Sequence, residues 1–256
     1  MDKITTVNQN EKNLMNGLYY LIHGFKLIAK PGLKRYVIMP FALNVLVFIG
    51  IFMLAKHYFS ALNQTIMPHL PAWLQWIDGI LWLVFFVSFF MVILYTFVTL
   101  ANIIAAPFNS LLAEKIEFYL TGKALDNQTM LSTLKDIPRM IKRQLAILAY
   151  YLPRALLLLV LFFIPIIQLA VPLLWFVFNA WLMTLQYIDY PTDNHRIPLT
   201  YVMGQLRKKR LLTLSFGIGT LALTMIPLLN CIVMPAAVAG ATELWLTELA
   251  SSNDHL

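Results

Sequence analysis

The chain has a single cysteine, Cys231, among 256 residues, which excludes an intrachain disulfide and any metal cluster built on cysteine. Cys231 stands inside an apolar stretch and reads as a small buried side chain. Charge is also scarce: 12% of residues are Asp, Glu, Lys or Arg, where a soluble domain carries roughly a quarter. With 60% hydrophobic residues, a water-facing fold has too little polar surface to cover itself. Gly/Ser-rich and acidic linkers are missing, so one membrane domain is expected across residues 1–256. No Gly-rich phosphate loop, HExxH or GxSxG pattern occurs, so no enzyme is expected. The formal charge of +7 comes from Lys and Arg that flank apolar runs. That placement fits orientation in a membrane, not a basic face for nucleic acid.

Four uncharged runs dominate. Residues 36–55, between Arg35 and Lys56, match a hydrocarbon core of roughly 30 Å at about 1.5 Å per residue, and form the first expected spanning helix. The uncharged stretch after Asp78 carries the second, over residues 80–104, with Trp73, Trp76 and Trp82 suited to headgroup level and Pro107 marking a kink or an end. The third run, 155–188, contains Pro165 and Pro172; the fourth, 211–242, contains Pro227 and Pro235. Neither holds two full spans. The arm from Ala155 to Ile164 would rise only about 15 Å, half the hydrocarbon thickness. The breaks resemble one another, IPIIQLAVP and IPLLNCIVMP, each with a lone amide, Gln168 or Asn230, between two prolines. They read as two re-entrant helical hairpins whose tips meet in the interior, as in a transporter's binding region; kinked, tilted helices are the alternative.

Charge placement gives a topology. Six Lys/Arg precede the first span, seven lie between Glu114 and Arg154, and five between Asp189 and Arg210. The N-terminus and the basic segments 110–154 and 189–210 are therefore expected to be cytoplasmic, with both ends of the third run inside. Met1 to Arg35 lacks a short apolar core followed by a cleavage site, so no cleavable signal peptide is expected. Residues 14–29 fit an interfacial helix, 110–120 a second helical stretch, and 130–150 a basic amphipathic one. The expected fold is an all-α integral membrane protein with two long transmembrane helices, two partly penetrating hairpins and interfacial amphipathic helices.

Lys30-Pro31-Gly32-Leu33-Lys34-Arg35 stands just before the first span. There the first helical N–H groups lack acceptors, the dipole end is positive, glycine permits close approach and Arg35 offers two donors at once. These features suit a tetrahedral oxyanion, while on the residues alone plain membrane-orienting charge is the favoured reading. Arg154 borders the first hairpin, and Arg139, Lys142 and Arg143 share a helical face, which makes either a cationic vestibule for an anion or topology charge. Glu114 and Glu117 read as counter-charges that hold those arginines, with proton-accepting groups the alternative. Asn109, Gln168 and Asn230 complete the candidates for lining a route. Asp189, Asp193 and His195 resemble a metal site, but a turn leaving the hairpin, with Asp193 or Asn194 capping the next helix, explains the same residues.

Six stretches in order, PGLKRYVIMP (31–40), IAAPFNSLLAE (104–114), KDIPRMIKR (135–143), YLPRA (151–155), DYPTDNH (189–195) and MIPLLN (225–230), carry a resemblance to the CysZ family of bacterial sulfate permeases over nearly the whole chain. The resemblance implies an inner-membrane helical protein that imports sulfate for cysteine biosynthesis and assembles as a homo-oligomer, dimer or higher. It implies an oxyanion site at a Gly-Leu-Arg motif, which falls here on Gly32, Leu33, Lys34 and Arg35. Lys34 stands where the family usually has arginine, which keeps the charge and gives up the bidentate fork, so Arg35 carries more of the binding. Thr192 stands where a bulkier apolar residue is common. The expected partners are sulfate, the lipid bilayer and further copies of the chain, with no cofactor, metal or nucleic acid. A metal-dependent membrane enzyme and an accessory subunit of a larger transporter are the alternatives.

Overall fold

The structure, a computed structural model, describes residues 16–66, 71–74, 76–123 and 135–250, and among them there is no strand. The helices are α1 (residues 16–28), α2 (Lys34–Ile66), α3 (Ile77–Thr121), α4 (Ile137–Phe162), α5 (Val171–Asn194), α6 (Leu199–Lys208), α7 (Arg210–Thr224) and α8 (Pro227–Leu244), the last running into a π-helical turn at Trp245–Leu249. Lys34–Thr65, Pro138–Phe162, Val171–Asn194 and Ile232–Leu249 are long and apolar enough to cross a membrane. The protein is an all-α membrane protein. Residues 14–15 and 130–134, expected to be helical, lie outside the described residues, as do 67–70 around Pro68.

The chain divides into two compact units, Ile38–Ala106 and the remainder. In the first, Phe59 of α2 lies 4.5 Å from Phe85 and 4.6 Å from Trp82 of α3, and Phe52 lies 5.2 Å from Phe89. Rising positions on α2 meet falling positions on α3, so the pair is antiparallel. Asn63 Nδ2 donates to Asp78 Oδ1 at 2.6 Å near the connecting loop. Leu46, Met53, Leu54, Leu83, Phe90 and Met91 are all more than half exposed, which suits lipid as the solvent and would be untenable in water. Both helices outrun the expected spans, and α3 continues through Pro107 instead of ending there.

In the second unit α5 is central, packing on α4, α6, α7 and α8, while α7 also packs on α8. Leu185 and Ile188 of α5, Phe216 of α7 and the alanine-rich face of α8 are fully buried. Helix α1, expected at the membrane interface, packs into the core. A Cβ on Gly24 would stand 2.1 Å from the Ala236 carbonyl oxygen, and one on Gly240 would stand 2.3 Å from the Tyr20 carbonyl oxygen. The two backbones therefore touch, and only glycine at both positions allows it. Tyr20, Leu21, Leu27 and Ile28 enter the core while Leu18, Tyr19 and Ile22 stay exposed.

The proline pairs act unequally. Helix α4 ends at Phe162, the chain turns through residues 163–170 with Pro165 inside the turn, and Pro172 sits in the first turn of α5, where its missing N–H costs least. Ile166 holds φ 74° and ψ −51°, a γ-turn geometry that is strained for a β-branched residue. In the fourth run the turn is confined to Met225 and Ile226, and Pro227 opens α8. Pro235, expected to break this run, lies inside α8, which continues to Leu244.

Candidate anion site and its supporting network

Helix α1 ends at residue 28 and α2 begins at Lys34, so the intervening turn fixes the basic motif. Leu33 N–H donates to the Lys30 carbonyl at 3.2 Å and Tyr36 N–H to the Leu33 carbonyl at 3.0 Å. Gly32 adopts φ 88°, a left-handed conformation that disfavours any Cβ, although space beside it is open. Leu33 is 5% exposed and belongs to the hydrophobic core. It anchors the motif from beneath, while Gly32, Lys34 and Arg35 face outward. Arg35 Nη2 donates to the Tyr36 hydroxyl at 3.1 Å, and its guanidinium lies 4.9 Å from that ring. Among the described residues neither Lys34 nor Arg35 pairs with a carboxylate. Two uncompensated cations at the positive end of a helix make a local field that attracts anions.

The arginines of α4 are placed differently. Arg143 Nε donates to Asp189 Oδ1 at 2.7 Å, Nη2 to Thr192 Oγ1 at 3.2 Å, and Nη1 to the Ile197 carbonyl. Arg139 Nη1 donates to Asp193 Oδ1 and to the Asp193 carbonyl, and Nη2 to Asp136 at 3.0 Å. Two cations thus meet three carboxylates, and the cluster binds α4 to the end of α5. The counter-charges are Asp136, Asp189 and Asp193, where Glu114 and Glu117 were expected. Glu114 pairs with the adjacent Lys115 at 2.8 Å, and its other oxygen is buried without a partner. Glu117 engages His195 Nε2 at 2.8 and 2.9 Å.

The cluster from Asp189 to His195 is therefore a set of docking contacts. Asp189 and Asp193 serve arginines, His195 serves Glu117, Asn194 exchanges hydrogen bonds with Ser110, and Thr192 accepts from Arg143. Asp193 and Asn194 still belong to α5, and α6 is preceded by Pro198 without a side-chain cap, so the expected capping role does not hold. Among the described residues no three His, Cys, Asp or Glu side chains converge for a metal ion. Asn109 donates to the Tyr190 hydroxyl at 3.3 Å, so it too sits in this docking region. Arg154 stacks 3.7 Å over its own Tyr150 ring and donates to the Tyr150 carbonyl, with its side chain exposed. Gln168 in the first hairpin turn and Asn230 in the first turn of α8 are exposed, not enclosed by the chain.

A second polar group escaped the sequence reading. His23 Nδ1 lies 2.6 Å from Glu243 Oε2, the Tyr20 hydroxyl donates to Glu248 at 3.1 Å, and Lys209 Nζ donates to the same Glu248 at 2.6 Å. Burial pushes the Tyr20 phenol above its ordinary range, keeping it a donor. The first two bonds hold α1, and so the motif at its end, against α8 and the π-helical turn that follows it, and the third ties that turn to the junction of α6 and α7. The only sequence signal was a pair of carboxylates closing an otherwise apolar helix.

Apolar helices of membrane-crossing length, joined to a core by buried ion pairs, define a helical integral membrane protein. The family model described as Sulfate transporter CysZ/Etoposide-induced protein 2.4 matches residues 20–235. Proteins named Sulfate transporter CysZ from Salmonella paratyphi A and from Salmonella typhimurium strain LT2 are each 45% identical over 232 residues, covering 90% of this chain and 92% of theirs. One of the same name from Pectobacterium atrosepticum is 44% identical over 235 residues, 90% of this chain and 84% of its own. The chain belongs to this family.

Proposed function

We propose that the protein is a sulfate permease of the bacterial inner membrane that supplies sulfate for assimilation into cysteine. The observation that carries this reading is 45% identity over 232 residues to relatives named sulfate transporters. In the proposed mechanism the anion is captured near the cytoplasmic boundary at Gly32, Leu33, Lys34 and Arg35. Backbone N–H groups and the helix dipole supply a fixed positive field, and Arg35 supplies the two-pronged contact. Support comes from the left-handed Gly32, the buried Leu33 and the two cations without carboxylates.

The hairpins α4–α5 and α7–α8 enter from the cytoplasm, turn before the far side and line the route, with the N-terminus inside. Helix α7, with 15 residues, rises about 22 Å against roughly 30 Å of hydrocarbon, which favours partial penetration of the second hairpin, whereas α4 and α5 of the first are each long enough to cross. Exposed Gln168 and Asn230 at the turns find polar surroundings when copies of the chain assemble around a shared wet path. Arg154 forms the mouth, while Arg139 and Arg143, neutralised by aspartates, hold its wall. The engagement of Asp189 and Asp193 by these arginines favours transport over metal chemistry at the end of α5.

Equilibrium binding of labelled sulfate to purified protein tests the site. The variant Lys34→Ala/Arg35→Ala is expected to lose most of the binding, with Lys56→Ala unchanged. Undiminished binding in the double variant would place the site elsewhere.

A further inference from the structure

We infer that Arg207, Lys208 and Arg210 form a docking surface for anionic phospholipid headgroups. The four residues from Arg207 to Arg210 are all cationic. Lys209 alone of the four has a carboxylate among the described residues, Glu248 at 2.6 Å, and it is the half-buried one; its three neighbours are exposed. Arg207 and Lys208 close α6, where the negative end of the helix dipole favours them. Arg210 is different. It opens α7, so the positive end of that helix opposes its charge, and three like charges precede it. Among the described residues no carboxylate pairs with Arg210, which leaves its exposed guanidinium available to an anion from outside.

The surroundings identify the outside charge. Arg210 Nε donates to the Arg207 carbonyl at 3.2 Å, which fixes the guanidinium and leaves its terminal N–H groups without a protein acceptor among the described residues. Helix α6 buries Val202 and Leu206 beneath the cations, so the patch rests on the core and does not float on a loop. Immediately after Arg210 the chain becomes an apolar helix with Ile218 exposed, followed by exposed Met225 and Ile226. A cationic patch at the start of an apolar helix that packs into the core and exposes apolar side chains only toward its far end, at Ile218, Met225 and Ile226, stands at headgroup height, where phosphodiesters carry the negative charge. Arginine's planar fork fits two phosphate oxygens at once. The surface does not depend on what the protein transports.

The test is lipid retention by purified full-length protein in mixed micelles containing phosphatidylglycerol and phosphatidylcholine at equal mole fraction, counted by mass spectrometry. Phosphatidylglycerol is expected to be retained preferentially and released by added NaCl. Arg207→Gln/Lys208→Gln/Arg210→Gln is expected to lose affinity about fivefold per cation removed. Lys56→Gln, which removes an exposed cation from the other unit, is expected to change nothing. Equal retention of the two lipids, retention undiminished in the triple variant, or displacement of phosphatidylglycerol by an equal concentration of glycerol phosphate overturns the proposal; the last marks a site for soluble anions. Should the triple variant fail to fold, Arg210→Gln alone decides, with unchanged retention counting against.

Discussion

Arg143 Nε stands 2.7 Å from Asp189 Oδ1 across 46 positions of chain, with both side chains nearly nine-tenths buried. A buried ion pair contributes little beyond what an apolar pair of similar volume would, but removing one partner strands the other charge. Arg143→Ala or Asp189→Ala is expected to cost about 3–5 kcal/mol. The double variant should fall well short of the sum, since neither orphan remains. Unfolding of the detergent-solubilised protein by a denaturing detergent checks the cycle; additive losses would show that the two residues act independently.

The contact of Gly24 with Gly240 makes a second expectation. Gly24→Ala places a methyl group inside the Ala236 backbone, so α1 must move away from α8 at a cost of about 1–3 kcal/mol. Because α1 carries the motif at its end, sulfate affinity should fall with the melting temperature. Gly50→Ala, at a glycine with open space beside it, serves as the comparison and should change neither.

At the motif itself, backbone and side chain separate cleanly. Gly32→Ala meets no atom and strains only φ, costing about 1–2 kcal/mol; Gly32→Asn, which tolerates the left-handed region, should retain more sulfate affinity than the alanine variant. Lys34→Arg is expected to bind sulfate at least as tightly as the native protein, whereas Arg35→Lys should bind it more weakly at unchanged charge. Isothermal titration with sulfate measures all four.

Partial penetration of the hairpins predicts a labelling pattern. In a Cys231→Ser background, single cysteines at Arg154 and Arg196 should react with an impermeant maleimide only from the cytoplasmic face. A cysteine at Ile166, in the first turn, should be protected from reagent added outside. Reaction of the Ile166 position from the outer face would mean that α4 and α5 cross completely.

Apolar runs, prolines and cations made the helices and the basic turn legible, because hydrophobic length and Pro/Gly chemistry are local properties. Gly32 and Lys34 could be singled out for the same reason. Long-range pairing was not local: Arg143 finds Asp189, and His23 finds Glu243 across 220 positions, so the sequence offered glutamates as partners simply because they stood nearby. Pro235 looked equivalent to Pro172, but one sits within a helix whose packed alanine face sustains it and the other at a helix start. Gly24 and Gly240 gave no pattern in isolation, since the closeness that requires them exists only after α1 meets α8. The left-handed turns at Ile166 and Arg196 had no glycine to announce them.

The most direct measurement is uptake of labelled sulfate by liposomes containing the purified protein, beside empty liposomes and liposomes holding Lys34→Ala/Arg35→Ala. Native protein should fill the vesicles faster than the empty control, with chloride a poor competitor and the double variant close to background. Uptake equal to that of empty vesicles, or undiminished in the double variant, would contradict a sulfate pathway that begins at Gly32 to Arg35.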